Sequence, residues 1–248
     1  MTISTTQFLE HCSASVATFE RLGPSILDAN VKPCGDWTAL QLIEHMREVY
    51  ERNTARIGAT SNPQIAFDPA PRHEAISRMR QSFEVLATRI IECDPGGPAW
   101  NWTGRNLNVA WTARRMAHET AIHAADLKVT ASPDALDSPE SLFDPQFGAD
   151  GVAEFIDIAF SRPTVRRNPK PDIATLHLHS NDATDCEWTI TFTQDQLLAE
   201  RSHAKADAAL RGPAASLYLW VWNRIGADSL ETFGDASVIR RWSEEIAV

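Results

Sequence analysis

Four stretches of apolar residues at three- and four-residue spacing before residue 130, with period-two alternation confined to residues beyond 170, predict an α+β chain. The expected architecture is a four-helix bundle over residues 1–130 followed by a small α+β domain over 145–248. Between them, Thr130 to Asp144 is rich in Ser, Pro and Asp and has neither period, which is how a linker reads. At 248 residues the chain has room for two modest domains.

The first helix is expected over residues 6–30, where Phe8, Val16, Phe19, Leu22 and Ile26 recur at helical steps. After the turn-rich Lys32-Pro33-Cys34-Gly35-Asp36, a second begins near Thr38 and carries Leu42, His45, Met46, Val49 and Asn53 on one face. The third spans about Glu74 to Glu92 and stops at Pro95-Gly96-Gly97-Pro98. A Trp-rich segment, Ala99-Trp100-Asn101-Trp102, separates it from the fourth, Asn108 to Lys128. Helices of this length joined by loops make a bundle. Further on, a helix is expected over Gly148 to Phe160, then alternating strands over Ile173 to His179 and Trp188 to Phe192, each with one wet face. Ala204 to Arg211 is a candidate strand. Pro213 suits a first helical turn, with the helix continuing through Leu217 to Trp222. A short strand, Leu230 to Phe233, and a helix ending near Ile246 close the chain.

Composition bounds the function. The chain carries 23 Lys plus Arg against 33 Asp plus Glu, a net charge of -10, with no basic run. Nucleic acid and anionic membranes reward a concentrated basic face, so neither is an expected partner. No stretch approaches the roughly 18–20 apolar residues of a membrane span, and Met1 to Glu20 lacks the order of a signal peptide, so a cytoplasmic protein is expected. Cys12, Cys34, Cys93 and Cys186 form no close pair and read as reduced thiols. The oligomeric state is left open, with a monomer favoured.

The chemistry is concentrated in Arg114-Arg115-Met116-Ala117-His118-Glu119-Thr120-Ala121-Ile122-His123-Ala124-Ala125-Asp126. Glu119 and His123 lie four residues apart, about 40° around a helix, whereas His118 and His123 diverge by about 140°. Met116, Glu119, His123 and Leu127 follow the rhythm of a core seam, so a carboxylate and an imidazole stand where a bundle wants Leu. Unpaired burial would cost several kcal/mol, and a divalent metal offsets that cost. His45, on the inner stripe of the second helix, is the expected third ligand. Two His and one Glu match a catalytic zinc with an open position; iron or nickel would suit the same donors. The plain alternative is a surface Glu–His pair, and the spacing is not H-E-x-x-H. His118 is expected to be a supporting or exposed residue. His177 and His179 share a strand face and are a candidate metal pair, with the wet face of an edge sheet the expected explanation, while His11, His73 and His203 show no partner in the sequence.

Cys34-Gly35-Asp36-Trp37-Thr38 with Leu42 and His45, together with the Arg114 to His123 block and Asp126, resembles the mycothiol-dependent maleylpyruvate isomerase family. Phe143-Asp144-Pro145, Ala149 to Phe155, and Arg211-Gly212-Pro213-Ala214-Ala215 with Leu217, Leu219, Trp220 and Arg224 are similar to that family's later blocks. The resemblance implies a DinB-like four-helix bundle with zinc on His45, Glu119 and His123, then a domain similar to sterol carrier proteins. Ala124 stands where many relatives carry Arg, and Asp36 replaces a small or proline residue in the turn.

The reaction so implied is thiol chemistry, with mycothiol as cosubstrate: isomerisation of a small electrophile by addition, rotation and elimination, or S-transfer. Metal coordination strips the proton from a thiol that is otherwise mostly protonated at neutral pH. An anionic substrate needs a cation, for which Arg224 and Arg211 are the candidates, with Arg115 a further choice; Arg224 could equally cap its own helix. Asp126 is a candidate acceptor for the free N–H of His123, strained by lying on the same helix, with water or Glu44 the alternatives. A metal-dependent hydrolase using bound water, and a non-catalytic module holding a lipid or small ligand, are the competing readings.

Overall fold

The structure, a computed structural model, describes residues 3–105, 108–159, 166–167 and 170–247. The chain divides into two compact units, Thr2–Asp137 and Ser138–Val248, each built on its own core.

The first unit is a bundle of α1 (Thr5–Ile26), α2 (Ala39–Arg56), α3 (Ala75–Glu92) and α4 (Val109–Ala131). Side chains fix three of the four starts. Ser4 and Thr38 accept from the backbone N–H of Gln7 and Gln41, whose side chains reach back to the cap N–H, and Asn108 accepts from Trp111 N–H. α1 is shorter than the expected 6–30: Pro24 occupies its last turn without an N–H to donate, and the helix ends at Ile26. α4 packs along α1 and α2 along α3, and Phe19, Leu42, Tyr50, Met79 and Leu86 fill the space between. The Thr130 to Asp144 segment is more structured than a linker. α4 runs on to Ala131, two 3-10 turns follow at Pro133–Leu136 and Pro139–Ser141, and Leu136 is buried.

The second unit begins with α5 (Pro145–Ala159); Phe160, where the sequence places the helix end, lies outside the described residues. Its sheet comprises β2 (Ala174–Ser180), β3 (Glu187–Phe192), β4 (Leu197–Glu200), β5 (Ala208–Gly212) and β6 (Glu231–Gly234), in the order β4-β3-β2-β5-β6. All neighbours are antiparallel except β2 and β5. A separate two-stranded pair joins β1 (Arg166–Arg167) to β7 (Ile246–Ala247). α6 (Ala214–Val221) and α7 (Ala236–Glu245) lie against β2 and β5, so the inward residues Leu176, Leu178 and Leu210 are buried. Aromatic rings complete this core: Trp220 and Trp242 stand 5.1 Å apart, and Phe155 packs edge-on to Trp222 at 4.9 Å.

Three local expectations are corrected. β4 was not foreseen because Leu197-Leu198-Ala199-Glu200 shows no clean alternation at the sheet edge. The candidate strand 204–211 starts only at Ala208, since Asp207 turns its carboxylate to accept from Thr175 N–H and Oγ1. Pro213 precedes its helix, in an extended conformation with ψ 145°, instead of occupying the first turn. No helix among the described residues is long and apolar enough to cross a membrane.

On α7, Arg241 is buried and donates through Nε to Glu245 at 2.6 Å, with Nη1 on Asp172 and the guanidinium 5.0 Å from the Phe192 ring. Removing one partner of such a pair strands a charge out of water. Glu245→Ala is expected to lower the unfolding free energy by about 3–5 kcal/mol in urea titrations. Asp172→Ala, which removes an exposed carboxylate, should cost less than about 1 kcal/mol.

Candidate metal centre

Two helices and one turn build the site. α2 carries His45 one turn beyond its capping box, and α4 carries Glu119 and His123 four residues apart. The turn ahead of α2 is a 3-10 segment, Lys32–Cys34, closed by Gly35 at φ +71°, a left-handed backbone that favours glycine. It sets Trp37 against His45 with ring centroids 5.0 Å apart, and Cys34 Sγ 3.5 Å from Asp126 Oδ2.

The three expected donors come together. His45 Nε2 lies 3.5 Å from Glu119 Oε1, and His123 Nε2 lies 3.7 Å from the same oxygen. The two imidazoles stand edge to face, 5.4 Å between centroids. Tetrahedral metal bonds of about 2.0–2.2 Å imply donor separations of about 3.3–3.5 Å, so the set needs little adjustment to close on an ion. The two oxygens of Glu119 have different tasks. Oε2 forms an ion pair with Arg115, which is 1 % exposed, while Oε1 faces the imidazoles.

Protons show what the set lacks. Asp126 is fully buried and lies 3.0 Å from His123 Nδ1, so it accepts the Nδ1 proton and leaves the neutral ring's Nε2 lone pair aimed at the carboxylate. Burial, and then repulsion from His123, push the His45 imidazole down to about 3, so it is neutral as well. Two lone-pair nitrogens and a carboxylate oxygen converge where a cation would satisfy all three. Burial pulls the His123 imidazole down, but the hydrogen bonds to Asp126 and Cys34 outweigh it, and the net shift is upward. Cys34, His123 and Asp126 also lie close enough to share an ion. That grouping uses Nδ1, which Asp126 already engages, so these residues are better described as support for His123.

Asp126 therefore does what seemed strained from sequence, because an imidazole on α4 reaches the carboxylate three residues on. Glu44 does not; it accepts from Arg47 at 3.0 Å and from Ala70 N–H. His118 is not exposed: it is fully buried, edge-on to Phe8. Cys34 and Trp37 were not foreseen as site neighbours, although both sit in the turn that leads into α2. Arg224 and Arg211 lie in the second unit. Arg224 Nη1 donates to the Trp222 carbonyl at 2.7 Å, and the exposed Arg211 pairs with Glu231 at 3.6 Å.

A helical bundle with a two-histidine, one-glutamate donor set on facing helices, continued by an α+β unit with a mixed five-stranded sheet, defines the class of protein. Residues 8–128 match the family model described as mycothiol maleylpyruvate isomerase N-terminal domain, and residues 146–241 match the MDMPI C-terminal domain. The chain belongs to the mycothiol-dependent maleylpyruvate isomerase family, a family of enzymes. Among solved structures, it is similar to the crystal structure of the mycothiol-dependent maleylpyruvate isomerase, with 14% identity, a TM-score of 0.58 and 92% of each chain covered. A histidine-to-alanine mutant of that enzyme matches with 13% identity, a TM-score of 0.55 and the same coverage. At these identities the likeness speaks for the fold. No curated protein matches the chain in sequence.

The depressed His45 gives a pH signature in metal-free protein. A histidine held neutral in the folded state, at about 3, but titrating near its ordinary 6.5 when unfolded, stabilises the fold fully above pH 6.5. That share is lost as pH falls from about 6.5 towards 3. His45→Gln should flatten this part of the stability profile, measured by thermal melts in chelator between pH 7 and 4; an unchanged slope would remove His45 from the account.

Proposed function

We propose that the chain is a mycothiol-dependent isomerase of a small electrophile, of the maleylpyruvate isomerase type, whose helical unit holds a divalent ion on His45, Glu119 and His123. The convergence of those donors around a carboxylate already held by Arg115 carries the reading. Zinc suits two imidazoles and a carboxylate best, and three protein ligands leave room for a guest. When bound there, the ion supplies Lewis acidity that favours the thiolate form of a thiol whose ordinary pKa is near 8.5.

The protein's own residues prepare that site. Asp126 holds the Nδ1 proton of His123 and thereby aims Nε2 inward. Arg115 takes one oxygen of Glu119 and leaves the other for coordination. Trp37 packs its ring against His45. The thiolate of the cosubstrate would add to the conjugated double bond and push its electron pair onto the conjugated carbonyl as an enolate; the resulting single bond rotates, and collapse of the enolate restores the double bond and expels the thiolate. Retention of the adduct would make the same site an S-transferase. Arg224, with Arg211 as its alternate, is the proposed cation for an anionic electrophile. In this reading the enzyme is cytoplasmic.

Elemental analysis with mycothiol titration by calorimetry tests the assignment. Stoichiometric metal and saturable thiol binding are expected, and Glu119→Ala should abolish both metal retention and thiol-dependent turnover. Full turnover by that variant would refute the reading, and turnover indifferent to mycothiol would point to a hydrolase. Asp126→Ala is expected to weaken metal binding about 10–100-fold while leaving the three donors in place. Arg224→Ala should raise KM for a dicarboxylate more than it changes kcat.

A further inference from the structure

Three histidines and a glutamate collect on the open face of the sheet in the second unit. β2 alternates, sending Leu176 and Leu178 into the core and His177 and His179 to the opposite side. The antiparallel register pairs His179 with Glu187 of β3, which sets a carboxylate directly across from that imidazole. His203 arrives from the connection between β4 and β5.

All three rings aim at one atom. His177 Nε2 lies 3.1 Å and His179 Nδ1 2.9 Å from Glu187 Oε1, and His203 Nδ1 hydrogen-bonds to that same oxygen. The ring centroids are 5.5–6.2 Å apart, and one donor atom from each of the four residues lies within 4.8 Å of every other. A carboxylate oxygen has about two lone-pair directions, so three donors oversubscribe it. The His177 and His179 separations from the oxygen, 3.1 and 2.9 Å, fall a few tenths of an ångström short of the edges of a tetrahedral metal shell of about 3.3–3.5 Å.

We propose that His177, His179, Glu187 and His203 form a second metal site, which binds a divalent transition ion of the zinc class as a structural clamp. Imidazole-rich sets select zinc, copper or nickel over calcium and magnesium, and four protein donors close a tetrahedral shell with no place for a substrate. The ion ties the β2–β3 hairpin to the β4–β5 connection, which supplies one donor and is otherwise held by Ser202 on Thr189 and Asp207 on Thr175. His203 is 81 % exposed, so the ion enters from solvent on that side. The nearest cation on the neighbouring strand, Arg211, sits in register with His179 and is paired with Glu231. Burial, the largest influence on His177, leaves its imidazole below the ordinary range and ready to coordinate at neutral pH.

Zinc titration of tag-free, chelator-stripped full-length protein at pH 7.5, read by calorimetry and elemental analysis, tests the site. His177→Ala/His179→Ala should lose one zinc equivalent with a Kd of about 1 μM or tighter. It should also lose the share of the zinc-dependent rise in melting temperature that this equivalent supplies. His45→Ala/Glu119→Gln should keep both. A single equivalent that survives His45→Ala/Glu119→Gln and vanishes in His177→Ala/His179→Ala would sustain this site while refuting the three-donor one. Unchanged zinc stoichiometry in His177→Ala/His179→Ala, or none left in His45→Ala/Glu119→Gln, would overturn it. If the double variant melts early without metal, the exposed His203→Ala serves instead, with an expected loss of at least tenfold in zinc affinity.

Discussion

A carboxylate on the inward side of a helix has to find positive charge, and Glu119 finds Arg115 one turn earlier on α4. That contact keeps one oxygen occupied and leaves the other facing two imidazoles. The rest of the helical unit's chemistry is arranged around this divided carboxylate. α2 must be in register to bring His45 across, the glycine-closed turn must set Trp37 behind it, and Asp126 must orient His123. An ordinary apolar seam would impose none of these requirements, because Leu at the same positions would pack without direction.

Helical period made much of this legible. Glu119 and His123 fall four residues apart in an otherwise apolar seam, and His45 interrupts a stripe of buried residues, so the three donors stand out by simple spacing. Their supports were harder to see. Asp126 is only three residues from His123, and whether that carboxylate reaches Nδ1 depends on a rotamer that spacing does not specify. Cys34 lies in a turn with no period at all. His118 misled in the opposite sense: a histidine beside the site residues in sequence proved to be an interior side chain against α1.

The second unit shows the same limits in strands. Alternation located β2 and β3 and put His177 and His179 on one face, but β2 is the central strand and the His177 side chain is only 11 % exposed. It said nothing of His203, which comes from an irregular connection and meets them only because β4 and β5 return to opposite sides of the β3–β2 pair. β4 itself escaped notice, as edge strands with one short run of pairing carry little pattern. Pro213 shows how close two good local readings are, since a proline serves equally just before a helix and in its first turn.

Every residue of the three-donor set and its supports precedes Asp137, in a unit dominated by helices and their neighbours along the chain. The sheet, in contrast, needs β5 to return beside β2 in parallel after two intervening strands, a pairing that must await a long loop closure. On a ribosome the helical unit has emerged and can condense before β2 is even translated. Condensation of the helices and assembly of the sheet are thus separate events in the life of the nascent chain, and a variant that stalls the second need not prevent the first.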